Sequence, residues 1–170
     1  MIVCIDVDYR DRPDGKTAAV AAGVVLSSFA AAVAVAERVC HIGEVAAYVP
    51  GQFYRRELPC VLALLDTIEQ PIDTIVVDGY VILDAAGSHG LGGHLYEALD
   101  RQVPVVGVAK TPFRANPPAI EVCRGGSQRP LFVTALGVDL QAAADSVAGM
   151  HGRFRLPTML KRVDRLCRDS

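Results

Sequence analysis

Asp6 closes the apolar run Met-Ile-Val-Cys-Ile, Asp78 closes Thr-Ile-Val-Val, and Glu57 lies between them in Tyr-Val-Pro-Gly-Gln-Phe-Tyr-Arg-Arg-Glu. A carboxylate at the tip of a buried strand is carried by rigid backbone, so several that converge make an oxygen-lined pocket for hard divalent cations such as Mg²⁺ or Mn²⁺. Such a pocket can polarise a phosphodiester and orient a water, which is the layout of a metal-dependent phosphoryl-transfer site. Lys110 follows another apolar run, Val-Pro-Val-Val-Gly-Val-Ala. Its ammonium would point at the same pocket. Each acid alone also suits a turn or a helix N-cap; the metal reading rests on the three together.

The elements that must hold these residues follow from the apolar periods. Residues 1 to 8 read as a strand buried on both faces, and Arg-Asp-Arg-Pro-Asp-Gly-Lys (10 to 16) has the chemistry of a tight turn. Residues 17 to 28 and 32 to 42 give two more Val/Ala-rich runs, read as strands of a meander, with a helix as the alternative for either. After the Pro-Gly pair at 50 and 51, Arg55 to Glu69 has a helical period of apolar residues, and Pro59 fits if it lies in the first turn. A strand at 72 to 78, a helix at 90 to 101 and a strand at 103 to 109 imply a parallel crossover. Residues 119 to 123 and 130 to 136 flank a Gly-rich hairpin or loop. Helices are expected from about Leu140 to Met150 and after Pro157.

A three-strand antiparallel meander followed by parallel strands, with helices on both faces, is the α/β order of the ribonuclease H-like fold. The first and fourth strands are neighbours there, so their terminal acids meet. A doubly wound nucleotide-binding fold would need a Gly-rich loop after the first strand, where this chain has Asp-Val-Asp-Tyr.

At 170 residues, 51% hydrophobic, the chain suits one well-buried domain spanning 1-170. No apolar stretch reaches the ~20 residues of a membrane span. The first strand starts at residue 2, which leaves no room for a signal peptide, so a cytoplasmic protein without membrane association is expected. The five cysteines are scattered and never spaced Cys-x-x-Cys, so they read as reduced buried thiols. A net charge of −2 does not mark a nucleic-acid binder, but residues 151 to 170 carry six Lys/Arg against two Asp. That segment is either a solvated helix face or a phosphate-facing tail.

The sequence resembles the endonuclease V family. Asp6-Val7-Asp8-Tyr9 matches its opening Asp-Val-x-Tyr; Tyr48-Val49-Pro50-Gly51 and Arg56-Glu57-x-Pro59 match its Tyr-Ile-Pro-Gly and Arg-Glu-x-Pro. Val77-Asp78-Gly79 matches its strand-end Asp-Gly, Gly107-Val108-Ala109-Lys110 its Gly-Val-Ala-Lys, and Phe154-Arg155-Leu156-Pro157 its late aromatic-Arg-Leu-Pro. The resemblance covers about residues 1 to 165. It implies a Mg²⁺- or Mn²⁺-dependent endonuclease that acts on DNA or RNA containing deaminated purines such as inosine and cuts the second phosphodiester on the 3′ side. It implies Asp6, Glu57 and Asp78 as metal carboxylates and Lys110 as a catalytic cation. Tyr48 and Pro50 would be the wedge that fills the hole left by a flipped base, and Gly51, Gly79 and Gly107 the close-approach backbone around that base.

Two family elements differ. The His-Pro-Arg after the strand-end aspartate reads Asp84-Ala85-Ala86 here, and the Gly-His before the late helix reads Gly137-Val138-Asp139. His89 or His94 is the candidate replacement for the first histidine, although His94 matches a separate family histidine. With a one-residue shift Asp139 takes the second position as an outer metal acid; without it the position is Val138. The alternatives are therefore a family member that binds nucleic acid without turnover, or another metal-dependent phosphoesterase on the same fold. No obligate protein partner is evident.

Overall fold

The computed structural model describes residues 1–47, 49, 51–115 and 117–170. In chain order these form β1 (Ile2–Asp11), β2 (Thr17–Leu26), β3 (Ala36–Ile42), α1 (Tyr54–Leu65), β4 (Thr74–Asp78), α2 (Leu91–Ala98), β5 (Val105–Ala109), β6 (Ile120–Val122), β7 (Leu131–Leu136), α3 (Leu140–Ala148) and α4 (Thr158–Asp169). One seven-stranded sheet has the order β3-β2-β1-β4-β5-β7-β6. β1 to β3 are the antiparallel meander, β4 runs parallel to both β1 and β5, and β7 runs antiparallel to β5 and β6. This is the expected mixed-sheet order with a terminal hairpin added.

The alanine-rich second run is a strand because the turn before it fixes a long register with β1, from Asp11↔Thr17 to Ile2↔Leu26. Its small side chains let α1 come close: a Cβ on Gly23 would sit 3.3 Å from Leu64. Alternation in the strands divides the core in two. Val3, Ile5, Ile75, Val77 and Val105 pack with Val61, Leu64 and Leu95 of α1 and α2. On the opposite face Cys4, Val76, Val106 and Val108 pack with Val147, Val163 and Cys167 of α3 and α4.

Several boundaries differ from expectation. β3 begins at Ala36 rather than 32, and the preceding segment leaves Val33 and Val35 exposed. α1 begins at Tyr54, so Pro59 lies in its second turn. α2 stops at Ala98 because Asp100 and Arg101 take positive φ. The cysteines are all free; Cys4, Cys60 and Cys167 are buried, whereas Cys123 is exposed.

Candidate active site

The parallel register Ile5↔Val77 and Val77↔Gly107 aligns the C-terminal ends of β1, β4 and β5. Asp6 and Asp78 each stand one residue beyond the last β1–β4 pair, with the parity of Cys4 and Val76, and so project towards the α4 face. Lys110 leaves the end of β5 and places Nζ 2.5 Å from Asp78 Oδ2. Both partners are more than a third exposed, so the pair contributes at most about 1 kcal/mol; its importance is positional. Glu57 reaches the same end from the first turn of α1.

The electrostatics show how closely the acids are gathered. Burial first, then Asp78, push the Asp6 carboxyl up to about 6, while its own Oδ1 accepts a hydrogen bond from Val7 N at 2.9 Å. Burial, Asp6 and Asp78 push Glu57 up to about 8. A carboxylate in the first turn of a helix is normally favoured by the helix dipole; here desolvation and its neighbours win. Burial lowers the Lys110 pKa, but Asp78, Asp6 and Asp164 together outweigh burial and leave it above the ordinary value.

Asp164 was not among the residues singled out from the sequence, yet it belongs to this group: its charge raises both Asp6 and Lys110. α4 carries it across β1. At the end of the helix Arg10 of β1 donates to the carbonyls of Cys167, Arg168 and Ser170 at 3.1, 3.0 and 3.1 Å, satisfying orphan C-terminal acceptors. At its beginning Leu156, Leu160 and Val163 close over Ile5, Asp6, Asp78 and Lys110. Arg168 holds Asp164 from the solvent side at 2.9 Å. The readable signal was an acid beside Leu160, Val163 and Cys167, the helix's apolar stripe.

Two guanidinium groups fix the other side. Arg155 donates to the carbonyls of Lys110 and Pro130, the latter at 2.8 Å. The loop bearing Arg155 is itself gathered by the buried Arg124, which donates to the carbonyls of Ala148, Met150, Gly152, Phe154 and Arg155. Gly107 is a correction: it does not line the cavity beside the acids. It supports the loop after β4, since a Cβ there would lie 2.5 Å from the Gly79 carbonyl oxygen and 2.9 Å from Thr134 Oγ1. Thr134, fully buried, accepts a hydrogen bond from Val81 N at 2.8 Å and anchors the same loop.

A cavity of about 490 Å³ opens beside the carboxylates. Asp6, Glu57 and Asp78 form its polar floor, with Gly51, Gly79 and Gly90 as bare backbone and Tyr9, Phe53, Tyr54, Tyr80 and Phe113 as aromatic walls. Gly79 holds φ +125°, a value that favours glycine, at the point where the chain leaves Asp78. Arg56 lies 4.1 Å over the Tyr9 ring. His89 lines the cavity, whereas His94 stacks on Tyr54 at 3.5 Å. Tyr48 and Pro50 lie outside the described residues.

Asp139 is also a correction. β7 pairs antiparallel to β5 with Leu136 opposite Val105, so the chain leaves β7 at the end of the sheet away from Lys110. Gly137 there abuts Tyr96 and Pro104. The length of β5, roughly 13 Å at ordinary strand rise, separates Asp139 from the acids. It is the N-cap of α3, its Oδ1 accepting from Ala142 N at 2.9 Å. Val138, the unshifted alternative, is equally remote and exposed.

Among the described residues no three His, Cys, Asp or Glu side chains already stand at ligand spacing around one point. The donor chemistry nevertheless fits a hard divalent cation: Asp6, Glu57 and Asp78 line one cavity, Asp6 and Asp78 raise Glu57 by repulsion, and Lys110 beside Asp78 supplies the compensating charge. Neutralisation by an oxygen-ligated cation would relieve that repulsion.

A family model described as Endonuclease V matches residues 1–134. Endonuclease V of Streptomyces avermitilis is 34% identical over 96% of this chain and 77% of its own length, and that of Streptomyces coelicolor 31% identical over 96% and 76%. The crystal structure of the S. avermitilis endonuclease V superposes with a TM-score of 0.76 at 30% identity, covering 99% of this chain and 79% of that one. A Ciona intestinalis endonuclease V, solved in complex with a 24mer DNA containing an inosine followed by a ribo-adenosine, shares the fold with TM-score 0.78 at 18% identity, over 99% of this chain and 84% of its own. The fold is ribonuclease H-like, and this chain belongs to the endonuclease V family.

Proposed function

We propose that this protein is a divalent-metal-dependent endonuclease that hydrolyses phosphodiester bonds 3′ to deaminated purines, inosine foremost, in DNA or RNA. One observation carries the reading: Asp6, Glu57, Asp78 and Lys110 meet at the edge of an aromatic-walled cavity whose size suits a nucleoside.

Mg²⁺ or Mn²⁺ held by Asp6, Glu57 and Asp78 would polarise the scissile phosphate and lower the pKa of the attacking water. Asp164 is the outer acid of this site, taking the role the sequence suggested for Asp139. Lys110 faces the charge that builds on the phosphorane, and Arg155 fixes the backbone from which that ammonium extends. The cavity receives the altered base once it leaves the stack, with Gly51 and Gly79 permitting close approach and Tyr48 and Pro50 as the wedge. Its carboxylate floor then lies next to the backbone 3′ to that base. The chain acts as one domain in the cytoplasm, where its nucleic-acid substrates are.

The test is cleavage of single-stranded inosine-containing DNA and RNA, beside undamaged controls, with Mg²⁺, Mn²⁺ or chelator. Metal-dependent cuts confined to inosine strands are expected. Binding of those strands without any product would instead support the non-cleaving reading, to which the Asp84-Ala85-Ala86 replacement already points.

A further inference from the structure

The C-terminal basic residues differ in how they are partnered. Arg162 grips Glu37 of β3 with two bonds of 2.7 and 2.6 Å, and Arg168 pairs with Asp164. Arg153 and Lys161 have no carboxylate partner among the described residues; instead each lies over the ring of Phe154, at 5.2 and 5.1 Å from its centroid. That ring is 55% exposed. Single exposed apolar side chains are common and mean little, but this one is held as a fixed feature. Its carbonyl accepts from Arg124 at 3.0 Å, and its Cα lies where a Cβ on Gly125 would be only 2.7 Å away. The ring therefore extends from backbone that is anchored by hydrogen bonding and close packing.

Its position relative to the active site follows from its neighbour. Arg155 binds the Lys110 carbonyl and, with Lys110, Gln128 and Arg129, lines an open cleft of about 650 Å³ running from Lys110 along the β6–β7 hairpin. Glu121 is the single acid in that cleft. Cations that track a backbone beside an aromatic platform are the features by which proteins hold single-stranded nucleic acid, because every base has a π-face and a duplex base has none free.

We propose that Phe154, flanked by Arg153 and Lys161, is a stacking platform for an unpaired base of the strand that continues from the scissile phosphate. The platform rests on the nuclease reading above and gives it a direction: it favours single-stranded over duplex substrate. The strand passes Lys110, follows the cleft past Arg129, and sets one base on Phe154 as its phosphates draw Arg153 and Lys161 off the ring they cover.

The experiment measures binding in chelator, so that no cleavage intervenes, of an undamaged single strand and of a duplex of equal length. The full chain is compared with Phe154→Leu, which keeps apolar bulk, with Phe154→Tyr, and with Arg153→Gln combined with Lys161→Gln. Phe154→Leu should weaken single-strand binding about tenfold, on the scale of one base–aromatic stack, and leave duplex binding unchanged; Phe154→Tyr should bind as wild type. The double charge variant should flatten the single-strand salt dependence by about 1.4 log units per log of salt, the contribution of two phosphate contacts. Unchanged single-strand affinity in Phe154→Leu, or equal losses for single strand and duplex, overturns the platform. If the wild-type chain binds neither nucleic acid, the platform is overturned, whereas the nuclease reading stands or falls separately on metal-dependent cleavage of inosine strands.

Discussion

The two ends of the central sheet each carry an aspartate associated with a late helix, and the two are used in opposite ways. Asp139, at the end where β7 leaves the sheet, accepts a hydrogen bond from a backbone N–H three residues on. Its charge is satisfied locally by the α3 N-terminus it caps. Asp164 sits inside α4, where an acid has no capping use, and faces Asp6 and Lys110 across the other end. An acid whose local partner is an exposed arginine one helical turn on, and which is set beside other acids, marks the end of the sheet where a cation and a phosphate would be accommodated.

The strongest way to break this contrast is to remove charge at the end holding the cluster. Asp78→Asn and Glu57→Gln should each slow cleavage of an inosine strand by about 10²-fold or more, the scale for loss of a principal electrostatic stabiliser. Binding of uncleaved strand should persist, since negative charge facing phosphate has been removed. Single-turnover rates and gel-shift affinities check the two halves separately, and near-normal cleavage by either variant would remove that acid from the site. Asp164→Asn should have the next largest effect, about ten- to 100-fold, as expected for a residue that tunes a metal site from its edge. The loss should be partly recovered by raising Mn²⁺, which a folding defect would not be.

The sequence made one end of the sheet far more legible than the other. Asp6 and Asp78 were readable because each interrupts a continuous buried run, and adjacent parallel strands bring such interruptions together whatever else the chain does. Glu57 was readable from the Arg-Glu-x-Pro resemblance, and the helical period of the residues after it placed it near a helix start. Asp164 depends on how α4 lies over β1, and that is set by Arg10 reaching carbonyls as far along the chain as Ser170 and by Arg155 reaching Lys110. No local pattern encodes contacts of that range. Asp139 was misplaced because its location turns on strand direction: had β7 run parallel to β5, the residues after it would have emerged beside Lys110. Gly107 resembled a substrate contact by motif alone, and its function is to admit the Gly79 carbonyl. The basic tail, read as one surface, divides residue by residue into paired and unpaired cations.

The repulsion within the cluster should be visible without substrate. Asp6 and Glu57 have folded-state values raised to about 6 and about 8, above those of the unfolded chain. The folded state therefore holds more protons, and the stability these groups contribute is present below their unfolded values of about 4 and is lost as pH rises through about 6 and then 8. In chelator the melting temperature should fall from pH 5 to pH 8.5. Saturating Mg²⁺ or Mn²⁺ should flatten that decline, because a bound cation favours the ionised carboxylates. Thermal melts across this range check it; identical curves with and without metal would show that the acids do not hold the ion.

The smallest effect belongs to the other aspartate and sharpens the comparison most. Asp139→Ala removes the acceptor for Ala142 N at the start of α3, so it should cost about 1 kcal/mol, the usual value of an N-cap. In a chain of this size that lowers the melting temperature by about 2–4 °C. Asp139→Ser, which can still cap, should recover most of the loss. Neither variant should change the single-turnover rate on an inosine strand or its metal dependence, because the length of β5 lies between this residue and Lys110. A variant that melts normally but cleaves slowly would place Asp139 at the metal after all. A variant that melts earlier and cleaves normally identifies an acid whose work is finished within its own helix.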